Sequence, residues 1–159
     1  MMGSPPDLSL AAQKIAGFEG FKPRPYLDTG GVPTVGYGTT HYPNGHAVTL
    51  SDPEITPTWG LVLLEHDLAV TSVMLWKALT QTPNINQWSA MLSLAYNVGA
   101  QAIANSTLVR LFNKADFSDA AEQFLRWDHG MVNGQLVEIP GLKNRRIAER
   151  ALFLSQQEM

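Results

Sequence analysis

The stretch from Pro23 to about Thr49 is incompatible with long helices, and this limits what the 159-residue chain can fold into. Prolines at 23, 25, 33 and 43 remove backbone donors and fix φ, while glycines at 30, 31, 36, 38 and 45 favour turns. Val32 to Tyr37 alternates in the manner of a strand. The expectation is a small antiparallel sheet with tight turns at Thr29-Gly30-Gly31 and Asn44-Gly45.

Helical patterns flank this stretch. Leu8, Ala11, Ala12, Ile15 and Phe18 recur at helical spacing, which predicts a helix over Leu8 to Phe18 with Glu19 on its last turn or just beyond. Thr56-Pro57 is a good helix start, because threonine caps and proline at the first position gives up an N–H that is unpaired anyway. Leu61, Leu64, Leu68, Leu75 and Leu79 then mark one face of a helix of roughly 30 Å at 1.5 Å per residue, long enough to bridge two lobes. Pro83, Asn84 and Asn86 interrupt it and start another, whose Trp88, Met91, Leu92, Leu94, Ala95 and Val98 suit a buried helix ending at Gly99. Short helices are expected over Gln101 to Ala104, Thr107 to Lys114, Asp119 to Asp128 and Leu142 to Leu154. The breaks fall at Asn105-Ser106, Asp116 to Ser118 and His129 to Gly134, with Ser118 as an N-cap. The class is therefore α+β, with the C-terminal half a compact helical lobe.

Composition narrows the function. The hydrophobic share of 45% against 16% charged residues describes an ordered chain, of a length for one domain. A net charge of −3, with no Lys/Arg cluster interleaved with aromatics, argues against nucleic acid as a partner. There is no cysteine, so no disulfide or thiolate zinc site. His41, His46, His66 and His129 show no paired spacing, and no metal or other cofactor is expected. The first residues lack a basic segment followed by an apolar run, so neither a secretory signal nor a membrane anchor is expected.

Two carboxylates stand out, one at the end of the first helical pattern and one beside a glycine turn. Glu19 follows Ile15, Ala16 and Phe18 and precedes Phe21, surroundings that would disfavour its charge, whereas Asp28 lies beside Thr29, Gly30 and Gly31, where water and backbone N–H groups are accessible. Glycoside hydrolysis uses such a pair, an un-ionised acid for the leaving oxygen and an ionised carboxylate at the sugar carbon. On spacing alone the ordinary readings stand beside this one: a helix-end acid, a turn aspartate, and at Thr34 a β-branched strand residue.

The pattern Glu19, Asp28, Thr34, with G-x-P-T-V-G-Y-G around the threonine, resembles the catalytic signature of the phage endolysins related to T-even phage lysozyme. The resemblance continues in L-S-L-A-Y-N-V-G (Leu92 to Gly99), N-S-T-L (Asn105 to Leu108), R-W (Arg126, Trp127) and P-G-L-K-N-R-R-I-A-E-R (Pro140 to Arg150). It implies a lysozyme-like fold in one domain over 1–159: a flexible leader at 1–7, a small β-sheet lobe at about 15–55, a linking helix at about 57–79 and a larger helical lobe at about 84–156. It implies a muramidase that cleaves the β-1,4 bond between N-acetylmuramic acid and N-acetylglucosamine in bacterial peptidoglycan by an inverting mechanism. Glu19 would be the general acid, Asp28 the carboxylate that assists at the sugar carbon, and Thr34 the residue that holds the attacking water. Tyr96 and Asn97 would line the saccharide cleft, and Arg145 would correspond to the arginine that approaches the catalytic glutamate in relatives. A monomer is expected, held in the host cytoplasm until a holin opens the membrane and then acting on the wall in the periplasm. Many relatives place histidine where this chain has Thr39, which puts a local ion pair in doubt and leaves open whether His41 replaces it. The alternatives are a lytic transglycosylase, against which the presence of both Asp28 and Thr34 argues, and a wall-binding module without activity.

Overall fold

The computed structural model describes residues 3–155, so Met1 and Met2 of the expected leader and the expected end of the helical lobe at Gln156 lie outside the described residues. The chain divides into two compact units, a smaller one over Ala12–Val70 and a larger one formed by the residues up to Ala11 together with those from Thr71 onward. Both boundaries fall inside helices, α1 (Ser9–Glu19) and α2 (Pro57–Ala78).

In the smaller unit, Ala12 and Ile15 of α1 are buried and the helix ends at Gly20, whose φ of 74° only glycine adopts freely. The Gly20 N–H donates to the Ala16 carbonyl at 3.0 Å. Strands β1 (Lys22–Leu27) and β2 (Pro33–Gly36) pair antiparallel, with Tyr26 opposite Thr34 and Leu27 opposite Pro33. The register is irregular between Lys22 and Tyr26, where Pro23 and Pro25 have no N–H to give. Bridges Val35 to Thr39 and His41 to Ala47 extend the turns. Thr56 caps α2, its Oγ1 accepting from the Trp59 N–H at 3.1 Å. By length and composition α2 could cross a membrane; Leu63, Leu64, Leu68 and Leu75 are buried, while Val62, Val70, Val73 and Met74 are exposed.

In the larger unit, α3 (Ile85–Val98) starts in a full capping box: the Asn84 side chain accepts from the Gln87 N–H at 2.7 Å, and the Gln87 side chain accepts from the Asn84 N–H at 3.0 Å. This helix is buried from Gln87 to Ala95 and packs on α7 (Pro140–Leu154). Between them come α4 (Ala100–Ala104), α5 (Thr107–Asn113), α6 (Phe117–Gln123) and a 3-10 turn at Phe124–Arg126. Phe112, Phe117, Phe124 and Phe153 stack edge-on or tilted within the core, at centroid distances from 5.3 to 6.5 Å.

Two expectations need correction. The cap of α6 is Asp116, which accepts from the Asp119 N–H, while Ser118 lies inside the helix. The segment His129 to Gly134 is no mere break: β3 (His129–Val132) and β4 (Gln135–Glu138) form a second antiparallel hairpin around Asn133 and Gly134, both at positive φ (51° and 79°). The architecture is thus α+β, with seven helices and two two-stranded sheets among the described residues.

Candidate active site

Glu19, Asp28 and Thr34 all belong to the smaller unit. Glu19 is the last residue of α1, fixed there by the Gly20 termination, and its side chain is exposed. This exposure differs from the enclosed setting expected for it; of its apolar sequence neighbours, Ile15 is fully buried, Phe21 packs against Tyr37 at 5.2 Å, and Phe18 is 38% exposed.

Asp28 closes the turn between β1 and β2 with its own side chain. Oδ1 accepts from the Gly30 N–H at 2.8 Å and the Val32 N–H at 2.9 Å, while its backbone exchanges bonds with Val32 and Gly31. Gly31 supplies the positive φ, 79°, that lets the chain reverse. Oδ1 is therefore committed to the backbone, and Oδ2 accepts no hydrogen bond among the described residues. Thr34 is 3% exposed and donates its hydroxyl to the Val32 carbonyl at 2.8 Å. Its oxygen keeps lone pairs for an incoming donor. One residue, Val32, thus holds both side chains, Asp28 through its N–H and Thr34 through its C=O.

Thr39 is buried and donates to Asp67 Oδ2 at 3.0 Å. Thr39 is held by this hydroxyl-to-carboxyl hydrogen bond, and His41 is exposed beside Thr40. Burial raises the Asp67 carboxyl above its ordinary pKa, against the Thr39 hydrogen bond and the nearby His66 and His41, which lower it.

The remaining candidates lie in the larger unit. Tyr96 is half-buried and Asn97 exposed on the last turn of α3. Asn97 lines a hollow of about 520 Å³ with Val98, Arg126, Trp127 and Leu136, and Tyr96 is not part of that lining. A second hollow of about 420 Å³ shares Arg126 and Trp127 and adds Asn105, Thr107 and Gln123. These polar positions were not singled out from the sequence. The R-W and N-S-T-L motifs contain four of them, but neither motif carries a spacing that betrays a sugar site.

Arg145 is buried on α7 rather than on its exposed face. Its Nε donates to Glu149 Oε2 at 3.3 Å, and a terminal nitrogen reaches the Ser93 carbonyl at 3.4 Å. The same Glu149 oxygen accepts from Ser93 Oγ at 2.5 Å and from Arg146 at 3.2 Å. Arg146 Nε and Glu149 Oε1 stand 2.7 Å apart but are misaligned for a hydrogen bond, so that contact is ionic. Burial raises the Glu149 pKa, and the two arginines and Ser93 pull it back down. No group of three or more His, Asp or Glu side chains that could hold a metal occurs among the described residues.

Seven helices with two small antiparallel sheets among the described residues make a lysozyme-like fold, the fold of solved phage endolysins. The phage lysozyme family model matches residues 16–149, and the chain belongs to that family. It is 35% identical over 142 residues to an endolysin of Acyrthosiphon pisum secondary endosymbiont phage 1, covering 89% of this chain and 92% of that one. An endolysin of Salmonella phage P22 is 36% identical over 137 residues, covering 86% of this chain and 90% of that one. Among solved structures, an endolysin from Escherichia coli O157:H7 phage FAHEc1 superposes with a TM-score of 0.88 at 30% identity, covering 96% of each chain. Family, homologues and fold agree on a lysozyme, a muramidase of the endolysin kind that lyses cells.

Proposed function

We propose that Glu19, Asp28 and Thr34 perform the hydrolysis by direct displacement. The exposed Glu19 carboxylic acid gives its proton to the glycosidic oxygen as the bond to the sugar carbon breaks. Water on the opposite face donates one hydrogen to Thr34 Oγ1 and the other to Asp28 Oδ2, and the latter takes the proton as the new C–O bond forms. The anomeric configuration therefore inverts. The observation that carries this reading is the shared use of Val32, which fixes Thr34 and Oδ1 of Asp28 and leaves Oδ2 without a hydrogen bond among the described residues. Such fixed orientation is what proximity catalysis requires.

The substrate we assign is the β-1,4 bond between N-acetylmuramic acid and N-acetylglucosamine. Tyr96 and Asn97, with Asn105, Thr107, Gln123, Arg126 and Trp127 around the two hollows, supply an indole and several hydrogen-bonding groups suited to sugar hydroxyls and amides. Arg145, held by Glu149 and the Ser93 carbonyl, serves as a supporting charge for the acid. The two units act as the lobes of one domain, 1–159, in a monomer. The enzyme waits in the host cytoplasm, and a holin-type opener releases it to the wall.

Release of reducing ends from purified peptidoglycan tests the assignment. Glu19→Gln keeps the size and removes the titrating proton, so turnover should fall by roughly 10²-fold or more while folding is unchanged. Wild-type turnover in that variant would overturn the role of Glu19.

A further inference from the structure

The smaller unit holds another hollow, of about 580 Å³, whose lining includes none of Glu19, Asp28 and Thr34. Its walls are Tyr42, Asn44, His46, Asp52, Ile55 and Trp59, joined by short loop segments. The rim is held firmly. Asp52 Oδ2 accepts from the Tyr42 hydroxyl at 2.7 Å and from the Thr49 N–H at 2.9 Å, and Oδ1 accepts from Thr49 Oγ1 at 2.6 Å. Asn44 Oδ1 takes the His46 N–H at 2.9 Å, and the Tyr42 N–H donates to the His46 carbonyl at 2.9 Å. Trp59 is fixed through its backbone by the Thr56 cap, yet 44% of it is exposed.

The lining chemistry selects among ligands. It contains no Lys or Arg, so a phosphate or other anion would meet Asp52 with no cation to offset it. Asp52 already takes three donors on its two oxygens, which leaves a poor set of ligands for a cation. What remains is a neutral molecule with one apolar face for the indole and several hydroxyl or amide groups for the Asn44 amide, the His46 ring and the outer lone pairs of Asp52. A pyranose ring carrying an N-acetyl group has that shape and fits within the volume.

We propose that this hollow is a second, non-catalytic saccharide site that takes one N-acetylated pyranose unit of a glycan strand. The identity of the strand rests on the muramidase reading; the pyranose chemistry rests on the hollow itself. Such a site gives a chain of net charge −3 a hold on the wall that needs no electrostatic attraction, and it raises the effective concentration of glycan at the enzyme.

The test is a titration of isotopically labelled protein with the trimer of N-acetylglucosamine, read by NMR, in the Glu19→Gln background so that the ligand survives. The indole N–H of Trp59 and the amides of Ala47 and Thr49 should shift saturably. Trp59→Ala and His46→Ala, both exposed positions, should abolish those shifts with the remaining spectrum intact. In an otherwise wild-type chain, Trp59→Ala should weaken retention on peptidoglycan sacculi by roughly tenfold, the scale of one lost aromatic face, with turnover of short soluble glycan unchanged. Shifts confined to residues outside the hollow, or unaltered retention in Trp59→Ala, would overturn the site. Reducing-end release by the wild-type chain is read alongside: glycan cleavage without a Trp59 shift removes the second site alone, and a Trp59 shift without cleavage supports it while removing the catalytic reading.

Discussion

Val32 holds Asp28 through its N–H and Thr34 through its C=O, and the water-handling roles proposed for these two residues can be tested by a sharp substitution. Asn at position 28 still offers one oxygen to the Gly30 and Val32 N–H groups, so the turn survives, but an amide NH₂ then replaces the oxygen that accepts the proton. Asp28→Asn should therefore lower turnover by roughly 10² to 10⁴-fold with an unchanged circular dichroism spectrum. Full activity in that variant would make Asp28 a turn residue only. Asp67 makes a second residue-level prediction. Its folded-state pKa lies above the unfolded value, so the folded protein binds its proton more tightly, and the stability this contributes is complete below the unfolded pKa and lost as pH rises through the folded one. Asp67→Asn keeps an acceptor for Thr39 and removes the titration. The variant should gain melting temperature relative to wild type as pH is raised from about 4 to 7, from the reference carboxylate range upward. A difference that shrinks with rising pH would contradict the sign.

At the scale of elements, the sequence was legible where a local rule decides and opaque where a partner decides. Thr56-Pro57 and Asn84 announced their helices, because caps are properties of a few adjacent residues. Gly20 marked the end of α1 and so placed Glu19. The hairpin after Asp128 was missed although Asn-Gly is a turn signal, because Met131 and Leu136 are 66% and 67% exposed and no apolar face alternates with a polar one. The burial of Arg145, Arg146 and Glu149 could not be read either: three charged residues on one helix describe a solvated face until α3 is known to lie against them. Their energetics follow from that burial. Glu149→Gln would take away the buried carboxylate that both Arg145 and Arg146 contact, and the cost should be roughly 3 to 5 kcal/mol in denaturant unfolding, as for breaking other buried pairs. A loss below about 1 kcal/mol would place the group in the class of exposed pairs.

For the whole molecule, the α+β class and the order of its elements followed from periodicity and punctuation, and the function followed from the pattern of motifs rather than from any one carboxylate. The division at Val70 and Thr71 lies within a continuous helix, with no proline, glycine or polar run to mark it. Polar lining residues such as Thr107 and Gln123 come together only through the packing of α4, α5 and α6. In the proposed mechanism water, held by Thr34 and deprotonated by Asp28, attacks the sugar carbon directly and displaces the leaving oxygen. Space for that water calls for carboxyl groups of Glu19 and Asp28 roughly 6.5 to 9.5 Å apart, against roughly 5 to 5.5 Å for a covalent intermediate. The measurement that decides is NMR of the first product formed from a β-linked glycan, before mutarotation. The account predicts the α anomer; a β anomer formed first would make Asp28 a nucleophile and leave Thr34 without its role.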